Sequence, residues 1–224
     1  LTKRDLVDDD WLTLVTADVE EVLTGTTLEG APIVAVSGTT EEGLPELVST
    51  IEDLLIEAGS KIDLGRPRLP IDRSFTMSGF GTIVTGTLID GRLTVGQEVE
   101  LVPSASTTRI RGLQTHRQKL DQGQPGSRVA ANLAGIAHGD VNRGDVLTTP
   151  GWLKPTTALD VRLKIIPDAP RALKHNTFVT LHTGSSESVA RVRLLDRQTA
   201  EPGESAWAQL KLDGPIGAVK GDYF

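Results

Sequence analysis

The 224 residues carry a formal charge of −7, are 38% hydrophobic and include no cysteine. That excludes a disulfide framework and thiolate metal sites, and no run approaches the ~18 apolar residues of a membrane-spanning helix. The four histidines, at 116, 138, 175 and 182, make no H-x-x-x-H pair, which argues against a zinc or triad enzyme.

The charge is unevenly spread. Residues 1–60 hold 2 basic and 14 acidic side chains, whereas residues 61–224 hold 21 basic and 16 acidic, 14 of the basic ones arginine. One reading is an acidic, solvated helix pair beside an ordinary surface. The other is a second part that faces an anion such as a nucleic-acid backbone. Either way, two differently built parts are joined.

In chain order, "DDDWLTLVTADVEEVLTGT" places acidic residues in a first turn and Leu12, Val15, Val19, Val22 and Leu23 at helical spacing. "APIVAVS" is a short apolar run after a proline, the pattern of a buried parallel strand. "LPELVSTIEDLLIEAGS" predicts a second amphipathic helix with Gly59 as its stop. One strand with two helices makes no self-sufficient core, so 1–60 reads as the end of a larger nucleotide-binding domain. "SKIDLGRPRLP" interrupts the pattern and predicts a linker over 61–68.

From Leu69 onward short β-branched runs bounded by Gly, Pro, Asp or Asn recur, among them "GTIVTGTLI", "QEVELV", "TTRIRGLQ" and "SRVAANLAG". The glycine-rich "IDRSFTMSGFGTIVTGTLIDGRL" fits neither G-x-G-x-x-G nor a P-loop, so its glycines punctuate strands and turns. "TPGWLKP" breaks the rhythm, which resumes in "ALDVRLKII", "NTFVTLH", "SVARVRLL" and "SAWAQLKL". The expected fold is mainly β: two consecutive antiparallel barrels, 69–150 and an incomplete 152–224, after an α/β remnant at 1–60. The incomplete barrel is expected to leave an open edge.

The first chemical lead is "TKRD", Thr2–Asp5. In an [NT]-K-x-D guanine site the aspartate accepts two charge-assisted hydrogen bonds from the base, and the lysine stem lies along the ring. Ser37-Gly38 follows the parallel run and would offer backbone N–H groups to the guanine carbonyl.

With these pieces in this order, and "RIRGLQTHRQ", "PGSRVAANLAGI" and "VNRGDVL" after them, the whole chain resembles the translational GTPases. Within them it is most similar to the selenocysteine-specific elongation factors. The resemblance implies delivery of selenocysteinyl-tRNA to the ribosome, with GTP/GDP and magnesium as the parent's cofactors and a cytoplasmic location. The P-loop, switch segments and D-x-x-G motif are not in this sequence, so no catalysis and no bound cofactor are expected of the chain itself. The array that reads the messenger-RNA hairpin in the bacterial family is likewise absent. The resemblance leaves a binding module: one barrel for the aminoacyl end, a second facing the acceptor arm.

It also implies that Asp72, Arg73 and Arg128 line the selenocysteine pocket. A selenol is anionic at neutral pH, and two guanidiniums can receive it while Asp72 holds one in place. The plainer alternative is an exposed ion pair at a turn and a solvated strand arginine. His116, Arg191 and Arg193 are candidate tRNA contacts, and Trp152 and Trp207 read as barrel packing. Two other readings stay open: a relative that carries ordinary aminoacyl-tRNA or serves initiation, and a structural fragment with no binding of its own.

Overall fold

Alternation along the chain decides which way each side chain faces, and a closed ring of strands turns that into an inside and an outside. The computed structural model describes residues 1–58 and 63–224. Gly59, the expected helix stop, and residues 61–62 of the expected linker lie outside the described residues. The chain forms two compact units, Leu1–Ser60 and Lys61–Phe224.

In the first unit, α1 spans Asp9–Leu23 and α2 spans Leu44–Ala58. Asp8 caps α1 by accepting from Trp11 N–H at 2.8 Å, with Asp9 and Asp10 in the first turn where the helix dipole favours negative charge. Neither helix contains a buried residue, and Trp11, Leu14, Ile51 and Leu54 are about half exposed. The expected parallel strand at "APIVAVS" is extended but joins no ladder. Its bonds go to Leu1, which donates to Val34 O and accepts from Val36 N–H, both at 2.7 Å, and to Arg4, whose N–H reaches Val36 O at 3.1 Å. Ser37 N–H goes instead to Glu42 O at 3.0 Å, so these bonds do not continue as a ladder.

The second unit opens with nine strands. They are β1 (Arg68–Met77), β2 (Gly81–Thr87), β3 (Leu93–Thr94), β4 (Glu98–Val102), β5 (Ser106–Thr115), β6 (Gln118–Leu120), β7 (Gln122–Gly123), β8 (Arg128–Leu133) and β9 (Val146–Thr148). Six close on themselves in the order β1-β2-β8-β5-β4-β9, all neighbours antiparallel. The inside is apolar: Leu69, Ile71, Val84, Leu101, Ile110, Val129, Leu133 and Leu147 are all essentially inaccessible. Alternation puts position 86 on the inner face, and it is glycine because β1 passes too close for a side chain; a Cβ there would stand 2.1 Å from Pro70 O.

Six strands follow: β10 (Thr156–Lys164), β11 (Leu173–Lys174), β12 (Phe178–Thr183), β13 (Ser186–Leu194), β14 (Thr199–Ala200) and β15 (Ser205–Ile216). β10-β15-β13-β12 form an open sheet, and β11 pairs with β14. The sheet buries Leu181, Val192, Leu194 and Leu210 on one face. Among the described residues its outer strands, β10 and β12, each have one partner.

A small cluster of Val102, Val146 and Leu153, backed by Trp152 and Val219, joins the barrel to the segment after β15. Arg68 adds an ion pair with Asp222, one Nη lying 2.8 Å from each carboxylate oxygen. The expected linker is fastened down over its described residues. Leu64 N–H donates to buried Asp90, Arg92 pairs with Asp63, and Thr148 Oγ donates to Pro67 O.

Candidate functional site

Regular alternation puts Ile83, Thr85 and Thr87 of β2, and Arg128, Ala130 and Asn132 of β8, on the outer wall of the barrel. β1 supplies the third strand, with an irregularity. Ile71 stands opposite Gly86, but Arg73 stands opposite Thr85, so Asp72 is an extra residue, a β-bulge. In a regular strand Asp72 and Arg73 would face opposite ways. The bulge lets both reach the outer wall.

There Asp72 meets Arg128. Arg128 Nη1 donates to Asp72 Oδ2 at 2.5 Å and Nη2 to Oδ1 at 2.8 Å, a bidentate pair. Thr85 Oγ donates to Oδ1 at 2.9 Å. The hydrogen bonds from Arg128, more than those from Thr85 or the nearby charge of Arg73, hold the Asp72 carboxyl below the usual aspartate range. Asp72 in turn raises Arg128. Among the described residues Arg73 makes no ion pair. The three side chains thus carry a net single positive charge. Arg128 is about half exposed, so much of that charge is offered to solvent.

Beside them runs a groove of about 420 Å³ whose lining includes Met77, Phe80, Ile83, Gln114, Ala130 and Asn132. Its walls are mostly apolar, and Asn132 Oδ1 is buried there with no hydrogen-bond partner. Neither Thr85 nor the groove was singled out from sequence. The signal that could have found them is the two-residue period of β2 and β8, which gives Ile83, Thr85, Ala130 and Asn132 one facing once the strands are paired.

His116 also lies close. It and Arg117 occupy the two-residue turn between β5 and β6 with φ of 46° and 65°, the left-handed pair such hairpins need. The preceding Thr115 donates to Arg128 O at 2.7 Å.

Arg191 and Arg193 lie elsewhere, on the exposed face of the open sheet. Arg191 stands opposite Lys211, and Arg193 opposite Gln209. Phe178 pairs with Arg191 across β12, its ring 5.0 Å from the guanidinium. Trp207 stands opposite Arg162 on this same face and is 56% exposed. That corrects its reading as barrel packing: Ala206 and Ala208, its neighbours in β15, point inward and Trp207 points out. Trp152 does pack, against the Val102–Val146–Leu153 cluster.

Of the expected guanine-site residues, Thr2, Lys3 and Asp5 are exposed and Ser37 is fully buried. Lys3 has left-handed φ, 64°. Ser37 Oγ accepts from Thr39 and Thr40 N–H, which commits the hydroxyl to shaping the turn at Gly38. No cluster of three His, Asp or Glu side chains among the described residues is placed to hold a cation.

Residues 81–148 match the family model of elongation factor Tu domain 2, and residues 160–224 that of the selenocysteine-specific elongation factor beta-barrel domain. The selenocysteine-specific elongation factor of Desulfomicrobium baculatum is 44% identical over 99% of this chain. The chain is a homologue of the selenocysteine-specific elongation factors. It spans 35% of that relative's length. Two solved structures share the fold over 99% of the chain. A bacterial selenocysteine-specific elongation factor superposes with TM-score 0.82 at 24% identity, covering 36% of that protein. Apo translation elongation factor SelB of Methanococcus maripaludis superposes with TM-score 0.86 at 23% identity, covering 50%.

Proposed function

We propose that this chain is the tRNA-binding portion of an elongation factor that delivers selenocysteinyl-tRNA to the ribosome in a GTP-dependent manner. The observation that carries this reading is the Asp72–Arg128 pair with Arg73 beside it, a site of net charge +1 next to an apolar groove. A selenolate is a monoanion and finds two guanidiniums. A seryl hydroxyl is neutral and finds none of that attraction. Asp72 takes two of the five N–H donors of Arg128 and leaves the others for the ligand. In this reading the groove takes the terminal nucleoside that carries the aminoacyl ester, its ring against Ile83 and Met77.

The acceptor arm lies, in this reading, along the exposed face of the open sheet. Arg191 and Lys211 are direct cross-strand neighbours of like charge, a costly arrangement, and a phosphate lying across them would offset the repulsion. The Phe178 ring, 5.0 Å from the Arg191 guanidinium, would steady it there.

Thr2, Lys3, Asp5, Ser37 and Gly38 would hold a guanine base, with Asp5 on its N–H edge and backbone N–H groups near Gly38 on its carbonyl. Bound GTP supplies the timing of release. These residues orient the base alone, and no phosphate step is assigned to them.

The test is equilibrium binding of this chain to tRNA charged with selenocysteine and with serine. A preference for the selenocysteinyl form that depends on Arg128 supports the reading. Equal affinities, equally affected by Arg128→Ala, would leave Arg128 as a phosphate contact and overturn the pocket.

A further inference from the structure

The Asn142–Asp145 turn lies just ahead of β9, and nothing in the proposed site uses it. Asp145 is buried, 6% exposed. Its carboxylate accepts from Asn142 N–H at 2.8 Å, and its own N–H donates to Asn142 O at 3.2 Å, so the turn is closed from both sides. Burial pushes the carboxyl up, and the Asn142 N–H only partly opposes this. An ionisable group in so dry a position is costly unless it is hydrogen-bonded, and this one uses its acceptor to close the turn.

What it holds is β1. Ile71 N–H donates to Asp145 O at 2.8 Å, and Gly144 N–H donates to Ile71 O at 2.9 Å. Further along the strand, His138 Nε2 lies 3.1 Å from Ser74 O, and Ser74 Oγ reaches Val141 O at 3.5 Å. The segment from His138 to Asp145 therefore grips β1 at Ile71 and again at Ser74. The two residues between the grips are Asp72 and Arg73, which are the bulge. On its other side Gly144 (φ 97°) abuts the second sheet; a Cβ there would stand 2.9 Å from Ser186 Cα.

We infer that Asp145 is a positioning residue for the Asp72–Arg73–Arg128 site, acting through the turn it closes and the bulge that turn maintains. Without its carboxylate the turn opens, Ile71 loses both backbone partners, and β1 relaxes towards regular alternation. Asp72 and Arg73 then no longer share the outer wall, and Asp72 leaves Arg128 and Thr85. The ligand of the site rests on the function proposed above; the positioning does not.

The experiment reads the Asp72 carboxyl directly, by carbon-13 NMR titration of the 224-residue chain. In Asp145→Ala the Asp72 midpoint is expected to rise to the ordinary aspartate range, as is also expected of the Arg128→Ala control. Asp145→Asn keeps an acceptor for Asn142 N–H, and is expected to leave the midpoint low. A low midpoint in Asp145→Ala would overturn the inference, because a purely structural loss would lower stability without moving Asp72. If Asp145→Ala does not fold, His138→Ala releases the other grip and is expected to raise the same midpoint; no change there also overturns the inference. Binding of the two charged tRNAs adds the second arm. A wild-type preference should shrink about tenfold in whichever variant moves Asp72. If the wild type shows no preference, the reading of the ligand fails, while the titration still decides the positioning.

Discussion

The carboxylate of Asp72 accepts two hydrogen bonds from Arg128, a residue 56 positions further along the chain, at 2.5 and 2.8 Å. Pairing of β1 and β8 to the two sides of β2 makes them neighbours, and β2 carries Thr85, which joins the pair. The half-exposed guanidinium sets the scale of what its loss should do. Arg128→Ala is expected to weaken binding of selenocysteinyl-tRNA by about 1.5 kcal/mol, the size of one charge-assisted hydrogen bond, and to leave seryl-tRNA nearly unchanged. Paired binding curves on the two charged tRNAs check this.

The same pair makes a prediction about pH. Asp72 is held below its unfolded value, so its stabilising contribution is complete above the ordinary aspartate pKa of about 3.9 and fades as pH falls through the lower folded value. Arg128 stays charged throughout. Asp72→Asn should therefore cost about 1 kcal/mol at pH 7, the upper end for a partly exposed ion pair. The gap from wild type should close below pH 4. Denaturant midpoints measured across pH 3–7 would show it, and a gap independent of pH would mean that the charge is not what Asp72 contributes.

Glycines in the β1–β2 hairpin should separate by cause. Gly86→Ala places a Cβ 2.1 Å from Pro70 O, so backbone must move, at a cost of about 1–3 kcal/mol. Gly79→Ala meets open space but keeps φ at 79°, which costs about 1 kcal/mol. Urea unfolding of both variants checks the order.

On the open sheet, Arg191→Gln and Arg193→Gln are each expected to reduce the salt-dependence slope of tRNA binding by about one. Affinity for serine- and selenocysteine-charged tRNA should fall alike. The Arg128 variant should do the reverse, changing discrimination more than slope.

Nucleotide binding should be weak. Base contacts from Asp5 and the Gly38 turn, without phosphate contacts, correspond to a Kd in the millimolar range, ~4 kcal/mol. Calorimetry of this chain with GDP giving a micromolar Kd would contradict that.

Much of the fold is legible in one dimension because it is periodic. The alternation in "GTIVTGT" and "SRVAANL" sets which residues face in, and Asp8 with its acidic neighbours marks where α1 starts. "APIVAVS" shows where that kind of reading stops. Its composition is that of a parallel strand, but a strand exists only by pairing, and among the described residues its backbone bonds to Leu1, Arg4 and Glu42 form no ladder. Trp207 shows the same limit on a finer scale: its apolar ring suggests burial, and the two-residue period of β15 turns it outward.

At the candidate site, resemblance to known sequences pointed to Asp72, Arg73 and Arg128, and the barrel brings Asp72 and Arg128 into contact. What residue order could not supply is the bulge. A one-residue register shift between β1 and β2 leaves no periodic signal of its own, since it depends on how many residues the partner strand spends between the same two ladder bonds. Sequence by itself determined the strands, their facing and the charge contrast between the two parts, because these follow from local period and composition. Tertiary structure alone decided that Thr85 joins the ion pair and that Asn142–Asp145 grips Ile71, because each depends on contacts between segments distant in the chain that only the folded sheet brings together.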